Sequence, residues 1–230
     1  MIKAVLFDLD GTLLNRDASV HSFVEEQYSR LKHKLSHIDK DKYVERFIEL
    51  DNRGYVWKDK VYQQLVEEFD IPICADELLE DYLQEFKHHC MPFDHLHSML
   101  QQLKTKGLKL GIITNGYGQF QLDNIKALEI ENEFESILIS EWEGVKKPDP
   151  LIFQRALANL GVVAEECLFV GDHPINDVMA AQQVGMTGVW KKDQFGEEQK
   201  IEAHYIVNDL LEILKIIDCV QQDASEKTSI

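Results

Sequence analysis

The chain has 230 residues, enough for one large domain or for one domain that carries an insertion. Hydrophobic residues make up 44% of it, which supports a sizeable core and excludes a disordered chain. With 41 acidic and 24 basic residues the formal net charge is -17, so neither a nucleic-acid polymer nor an anionic membrane is an expected partner.

The sequence contains no apolar run long enough to cross a bilayer, and its beginning lacks the form of a secretory signal. We therefore expect a soluble, cytoplasmic protein; nothing in the sequence indicates its oligomeric state. The four cysteines are scattered and are expected to be buried free thiols.

The first predicted element is a short buried strand over residues 2–8, which stops at an Asp-Gly-Thr turn. The pattern then becomes helical from about residue 16 to residue 91. Apolar residues recur there at three- and four-residue spacing, which predicts helices over 20–34, 42–50, 61–69 and 77–89. The sequence therefore predicts a helical domain over 16–91.

Strands and helices alternate after residue 92. Strands are predicted over 108–114, 137–140, 167–171, 187–190 and 205–207, and helices over 96–106, 119–128, 150–160, 175–184 and 209–217. This alternation predicts a doubly wound, mostly parallel, Rossmann-like α/β sheet built from residues 1–15 and 92–230. We expect the polar tail, residues 221–230, to be frayed.

Two polar clusters follow the first two strands of this sheet. Asp8 and Asp10 lie in the run D-x-D-G-T, where the turn allows both carboxylates to converge. Thr114, Asn115 and Gly116 offer a hydroxyl, an amide and a flexible backbone, which suit phosphate oxygens. Taken singly, each run is also compatible with an ordinary turn.

Two further clusters follow later strands. Lys147 directly precedes Pro148, which can hold one positive charge at a fixed point. Asp172 follows an apolar strand and suits a hard cation, and Asp177 could support that metal or the lysine. Each aspartate, taken alone, could equally be a helix N-cap or a surface charge.

Together the four clusters resemble the motifs of the haloacid dehalogenase superfamily, specifically its phosphatase branch with a helical cap inserted after the first motif. D-x-D-G-T, an apolar strand ending in Thr, Lys before Pro, and G-D-x-x-x-x-D occur in that order along the whole chain. The resemblance implies a Mg²⁺-dependent phosphohydrolase that acts through an aspartyl-phosphate intermediate. Its substrate would be a small phosphomonoester, with the nucleotide and sugar-phosphate classes both possible.

The resemblance also implies a role for each matching residue. Asp8 would be the nucleophile, and Asp10 would protonate the leaving oxygen and then deprotonate water. Mg²⁺ would be held by the Asp8 carboxylate, the Asp10 backbone carbonyl and Asp172. The phosphoryl oxygens would contact Thr114 and Lys147, with the Asn115 and Gly116 backbone assisting, and Asp177 would lie just outside the metal ligands.

The inserted segment contains one unusual loop, residues 51–58. Arg53, Tyr55 and Trp57 lie there and could contact the leaving group of the substrate, or they could pack inside the helical domain. Thr114 and Lys147 are only 33 positions apart in sequence, which leaves no room for a second cap at that point.

Four other activities share parts of this pattern. A dehalogenase would lack the carboxylate of Asp10, whereas a phosphomutase would share every core motif. A phosphonatase would need a cap lysine, for which Lys58 and Lys60 are candidates. A receiver-like, phospho-accepting signalling module uses similar residues but is much shorter and has no helical insert.

Overall fold

The structure, a computed structural model, describes residues 1–192 and 202–228. The chain divides into two compact units. One consists of Met1–Asn15 with Pro92–Ile230, and the other is Arg16–Met91. Each unit is described by itself below.

The α/β unit contains a six-stranded sheet in the order β3-β2-β1-β4-β5-β6, and every neighbouring pair of strands is parallel. The strands are β1 (Ala4–Phe7), β2 (Lys109–Thr114), β3 (Ser136–Ile139), β4 (Cys167–Gly171), β5 (Thr187–Lys191) and β6 (Tyr205–Val207). This order is that of a doubly wound fold, so the predicted fold class is confirmed.

The sheet is built around β1, whose four residues are all buried. β1 pairs with β2 on one side and with β4 on the other, and the strand order reverses between β1 and β4. In open α/β sheets, ligands bind outside the carboxyl ends of the strands at this reversal. Asp8 directly follows β1 and therefore lies at that point.

The helices of this unit precede or follow the strands along the chain, and the last of them comes after β6. They are α6 (Leu96–Thr105), α7 (Gly118–Ala127), α8 (Ser140–Glu143), α9 (Pro150–Leu160), α10 (Ala180–Gln183) and α11 (Glu212–Thr228). The segment predicted as a helix over 175–184 begins with a π-helical turn, Pro174–Met179, before α10. Such turns recur at functional sites, and this one carries Asp177.

The end of the chain differs from the prediction. The last helix was predicted over 209–217 with a frayed tail, whereas α11 runs from Glu212 to Thr228. The segment after Ile217 contains neither Gly nor Pro and includes good helix formers, so nothing in it ends the helix. The last two residues of the predicted tail, 229–230, lie outside the described residues.

The helical unit contains α1 (Arg16–Arg30), α2 (Lys32–Leu35), α3 (Lys40–Asp51), α4 (Lys58–Phe69) and α5 (Ala75–Glu85). The single helix predicted over 20–34 is divided at Leu31, which lies between α1 and α2. The core of the helical unit is aromatic: Phe23 packs edge-on against Tyr82, with ring centroids 5.1 Å apart. Gln27 is fully buried and accepts hydrogen bonds from the hydroxyls of Tyr43 (3.3 Å) and Tyr62 (3.0 Å). These bonds satisfy polar groups that would otherwise be costly to bury.

All four cysteines are free, but the prediction that they are buried is wrong for most of them. Cys167 alone is buried, Cys90 is half-buried, and Cys74 and Cys219 are exposed. Among the described residues, no helix has both the length and the apolar character required to cross a membrane.

Candidate active site

Four predicted site residues lie at the carboxyl ends of neighbouring strands. Asp8 follows β1, Thr114 ends β2, Lys147 lies beyond β3, and Asp172 follows β4. Parallel strands end at the same edge of a sheet, so the fold collects residues that are distant in sequence.

Lys147 lies at the centre of this group. Its Nζ donates to Asp8 Oδ1 at 2.6 Å and to Asp177 Oδ1 at 2.6 Å. Lys147 is only 3% exposed, and Nζ lies 5.4 Å from the centre of the Phe169 ring. The lysine therefore has a fixed position from which one positive charge acts on Asp8.

Asp172 completes a cluster of carboxylates. Oxygens of Asp8, Asp172 and Asp177 lie within 4.8 Å of one another. Such oxygens are the ligands that hard divalent cations prefer. Asp177 Oδ2 also accepts from the His173 backbone N–H at 3.0 Å, so both of its oxygens already have protein donors. Asp177 is therefore already held by the protein through both oxygens of its carboxylate.

The pKa values of Asp8 and Lys147 are shifted because several charged groups lie close together in this buried site. Burial raises the pKa of Asp8 well above its usual range; Asp177 and Asp172 add to the rise, and Lys147 opposes it. Burial alone would lower the pKa of Lys147, but Asp177 and Asp8 raise it above its ordinary value. The lysine is therefore charged, whereas ionised Asp8 is poorly stabilised by the protein alone.

Gly11 allows the D-x-D-G-T turn to approach Asp172. Its φ is +80°, which side-chain-bearing residues rarely adopt, and a Cβ there would lie 2.3 Å from Asp172 Oδ2. The glycine of the motif is therefore required both for the turn and for the close approach of Asp172.

The loop after β2 is tied to the loop that carries Lys147. Asn115 Nδ2 donates to the Lys147 carbonyl at 3.0 Å, and the Lys147 N–H donates to Asn115 Oδ1 at 2.9 Å. The Gly116 N–H donates to Ser140 Oγ at 3.0 Å. Use of the Gly116 amide by a phosphoryl oxygen would require that Ser140 give up this hydrogen bond.

Gln121 is a site residue that the sequence analysis missed. Its Nε2 donates to Asp10 Oδ2 at 2.6 Å and to Thr114 Oγ1 at 2.8 Å. Its position in the helical pattern could have identified it, because Gln121 and Asn124 occupy the helix face that also carries buried Ile125. Polar residues on a buried helix face need partners.

Lys191 was also missed, because the predicted strand ended one residue before it. Lys191 is buried, donates to the Gly11 carbonyl at 3.2 Å, and lies 3.2 Å from the centre of the Phe93 ring. Burial lowers its pKa to about 8, although Asp172 and Asp209 oppose that change. This lysine therefore supports the D-x-D-G-T turn from the side of β5.

The loop over 51–58 is organised by a buried carboxylate of the helical unit. Asp51 accepts two hydrogen bonds from Arg16, at 2.8 and 2.9 Å, and one from the Lys58 ammonium. Burial and this ion pair leave Lys58 unsuited to form an imine with a substrate. The ring of Trp57 packs edge-on against Tyr82, with the ring centres 6.5 Å apart.

The other two predicted selectivity residues of that loop are exposed. Tyr55 is 68% exposed, and Arg53 lies in the left-handed backbone region with φ +58°. The loop therefore presents Arg53 and Tyr55 on the surface of the helical unit, while Trp57 packs on that unit's own core.

The doubly wound sheet, with a buried lysine and three clustered carboxylates beyond its strand ends, has the fold and the polar site of an α/β enzyme. Residues 5–191 match the family described as haloacid dehalogenase-like hydrolase, and the chain belongs to this family. The predicted superfamily and enzyme class, a phosphatase, are confirmed.

Three similar proteins illustrate the relationship. The chain is 31% identical to the glyceraldehyde 3-phosphate phosphatase of Pyrococcus furiosus, over 98% of this chain and 96% of that protein. It is 30% identical to the phosphoserine phosphatase of Thermus thermophilus, over 68% of this chain and 64% of that protein. A crystal structure of a HAD phosphatase from Thermococcus onnurineus superposes with a TM-score of 0.67 at 31% identity, covering 94% of this chain and 98% of that one.

Proposed function

We propose that this protein is a Mg²⁺-dependent phosphohydrolase that removes phosphate from a small aliphatic phosphomonoester through a phosphorylated Asp8. The observation that carries the proposal is the contact between Lys147 and Asp8 at 2.6 Å, with Asp172 in the same carboxylate cluster. A nucleophilic carboxylate needs this combination of a fixed cation and a hard-metal site to accept an anionic substrate.

The proposed substrate class rests on the relatives. One similar protein is named for glyceraldehyde 3-phosphate and another for phosphoserine, both three-carbon aliphatic esters. The leaving group of such an ester is an aliphatic alkoxide, which is strongly basic and therefore a poor leaving group. It must be protonated as it departs. Asp10 is two residues after Asp8 and is proposed to supply that proton.

The proposed reaction has two displacements at phosphorus. In the first, a carboxylate oxygen of Asp8 forms a bond to phosphorus, the bond to the leaving oxygen breaks, and Asp10 gives that oxygen a proton. In the second, Asp10 takes a proton from water, the water oxygen bonds to phosphorus, and the Asp8 carboxylate leaves. Thr114 and Lys147 are proposed to hold the phosphoryl oxygens through both steps.

The charges of the site support a divalent cation. Asp8, Asp172 and Asp177 together carry three negative charges when ionised, and Lys147 supplies one positive charge against them. The proposed ligands of Mg²⁺ are the carboxylates of Asp8 and Asp172 and the backbone carbonyl of Asp10. Bound there, the ion would neutralise negative charge on the carboxylates and on the phosphoryl oxygens.

The experiment measures phosphate release from glyceraldehyde 3-phosphate, phosphoserine, sugar phosphates, nucleoside monophosphates and para-nitrophenyl phosphate. Wild-type protein should release phosphate with Mg²⁺ and stop when EDTA is added, and Asp8→Asn should lose at least about 1,000-fold in kcat. Asp76→Asn, an exposed aspartate in α5, is the matched control and should behave as wild type. Phosphate release by Asp8→Asn at the wild-type rate would refute the proposed nucleophile, and transfer to a second hydroxyl of the substrate would indicate a mutase.

We also propose that Arg16–Met91 is the helical cap domain and that Arg53 and Tyr55 contribute to substrate selectivity. Support comes from their exposure on one loop. Arg53→Asn suits the left-handed backbone of this position, and Arg46→Asn, in α3 of the same unit, is the control. Ratios of kcat/KM across the esters should change for Arg53→Asn and not for Arg46→Asn. Unchanged ratios in both variants would reject this role.

A further inference from the structure

Gln121 joins two residues to which the proposed reaction gives different tasks. It is 2% exposed and lies in the first turns of α7. Its Nε2 donates to the Asp10 carboxylate at 2.6 Å and to the Thr114 hydroxyl at 2.8 Å. The Asn115 carbonyl, at 3.3 Å, is a weaker third acceptor.

The orientation of this amide is set by its surroundings. Asn124 is fully buried, and its Nδ2 donates to Gln121 Oε1 at 3.1 Å. The Nε2 end of Gln121 therefore points to Asp10 and Thr114, and a flipped amide would set two donors against each other. Gly116 packs so closely that a Cβ there would lie 2.8 Å from Gln121 Cγ, so the side chain has little freedom to change rotamer.

This arrangement has a separate consequence for each partner. Because the Thr114 oxygen accepts from Gln121, its own proton points away from the amide, and the Asn115 carbonyl at 3.5 Å is too far to hold it strongly. Because Gln121 holds Oδ2 of Asp10, the other oxygen of that carboxylate is left to exchange a proton with substrate or water.

We propose that Gln121 is a positioning residue that fixes the Asp10 carboxylate relative to the Thr114 hydroxyl, so that one bound phosphoester contacts both groups at the same time. This inference rests on the proposed function, in which Asp10 transfers protons and Thr114 contacts the phosphoryl group. Gln121 itself contacts neither the phosphorus nor the leaving group in this scheme.

The test compares esters whose leaving groups differ in their need for a proton. The para-nitrophenolate ion leaves readily without protonation, whereas the alkoxide of glyceraldehyde 3-phosphate or phosphoserine does not. General acid catalysis typically contributes 10²–10⁴-fold, so Gln121→Met should lower kcat/KM by about 100-fold for the better of the two aliphatic esters. The loss for para-nitrophenyl phosphate should be about tenfold or less, since it reflects only the weaker hold on Thr114. Gln121→Glu places an acceptor against Asp10 and should show the same selective loss.

Gln119→Met is the matched control, because Gln119 lies on the same helix, is exposed, and donates to the carboxylate of Asp123 and not to Asp10 or Thr114. In an Asp10→Asn background, Gln121→Met should cause no further selective loss, since the two act through one carboxylate. Equal losses on all esters, no loss, or failure of both Gln121 variants to fold would overturn the proposal. If Asp10→Asn alone shows no dependence on the leaving group, the proposed function fails instead.

Discussion

Asp8→Asn is expected to inactivate the enzyme and, in the absence of metal, to stabilise its fold. Lys147 Nζ lies 2.6 Å from Asp8 Oδ1, an attraction of about 6 kcal/mol at an effective dielectric constant of about 20. Oxygens of Asp172 and Asp177 lie within 4.8 Å of Asp8, and each such repulsion is at least about 3.5 kcal/mol on the same scale.

The two repulsions therefore cancel the attraction, and the cost of burying the Asp8 charge remains. An asparagine avoids most of that cost, and its carbonyl oxygen can still accept from Lys147. We expect a gain of about 1–3 kcal/mol in the free energy of unfolding. For a chain of this length, the melting temperature should rise by roughly 2–12 °C.

The gain should depend on pH in a defined direction. Burial raises the pKa of Asp8 above its unfolded value, which is about 3.9. Between these two pKa values the native state binds more protons than the unfolded state, so wild-type stability falls as pH rises across that window. The advantage of Asp8→Asn should therefore be small near pH 4, grow as pH rises, and reach its full size only above the raised pKa of Asp8.

Thermal melting followed by circular dichroism tests this reasoning. Wild type, Asp8→Asn and the exposed control Asp76→Asn are compared in EDTA at several pH values, and again with excess Mg²⁺. Magnesium should stabilise wild type more than Asp8→Asn, because the variant has lost a proposed ligand. A variant that melts below wild type in EDTA at neutral pH would refute the charge balance described above.

Three further predictions concern other parts of the chain. Asp51→Asn should lower the free energy of unfolding by about 3–5 kcal/mol in denaturant titrations, because it leaves buried Lys58 and half-buried Arg16 without their carboxylate. An equal effect of Glu49→Gln, on the surface of α3, would contradict this. At pH 8 iodoacetamide should label exposed Cys74 but not Cys167, because burial raises the pKa of the Cys167 thiol to about 12. Mass spectrometry of the labelled native and unfolded protein measures the modification of each cysteine. Rapid labelling of Cys167 in the native protein would contradict the prediction. Gly11→Ala should cost more stability and activity than Gly107→Ala: both glycines have positive φ, +80° and +74°, but nothing lies within 4 Å of a Cβ at Gly107. Similar losses in stability and activity for the two glycine variants would show that backbone strain alone is responsible.

The fold was predictable because its signals are local and repeated. Apolar runs of strand length, separated by helical periodicity, identified all six strands of the sheet to within about two residues. Helix ends were less predictable, since no helix-breaking Gly or Pro lies at Leu31, where the first helix is divided. The length of α11 was missed because a polar tail was taken as a sign of fraying.

The candidate site was predictable only where a residue ends a strand. Asp8, Thr114 and Asp172 do so, and their convergence follows from parallel strands alone. Gln121 acts from within a helix, and its partners Asp10 and Thr114 are 111 and 7 residues away in sequence. No short-range pattern encodes the first of these contacts, because it depends on where the fold places α7 relative to the turn after β1.

Net charge is a poor guide to this site, as two buried lysines show. In the helical unit Lys58 and Arg16 share one carboxylate, that of Asp51. In the α/β unit Lys147 alone bonds both Asp8 and Asp177. Both arrangements are buried, but their charge ratios are opposite. An excess of cations around one carboxylate repels a metal ion and suits a purely structural role, whereas an excess of carboxylates around one lysine favours a divalent cation. It is this local ratio, and not the charge of -17 on the whole chain, that allows a strongly acidic protein to accept an anionic substrate.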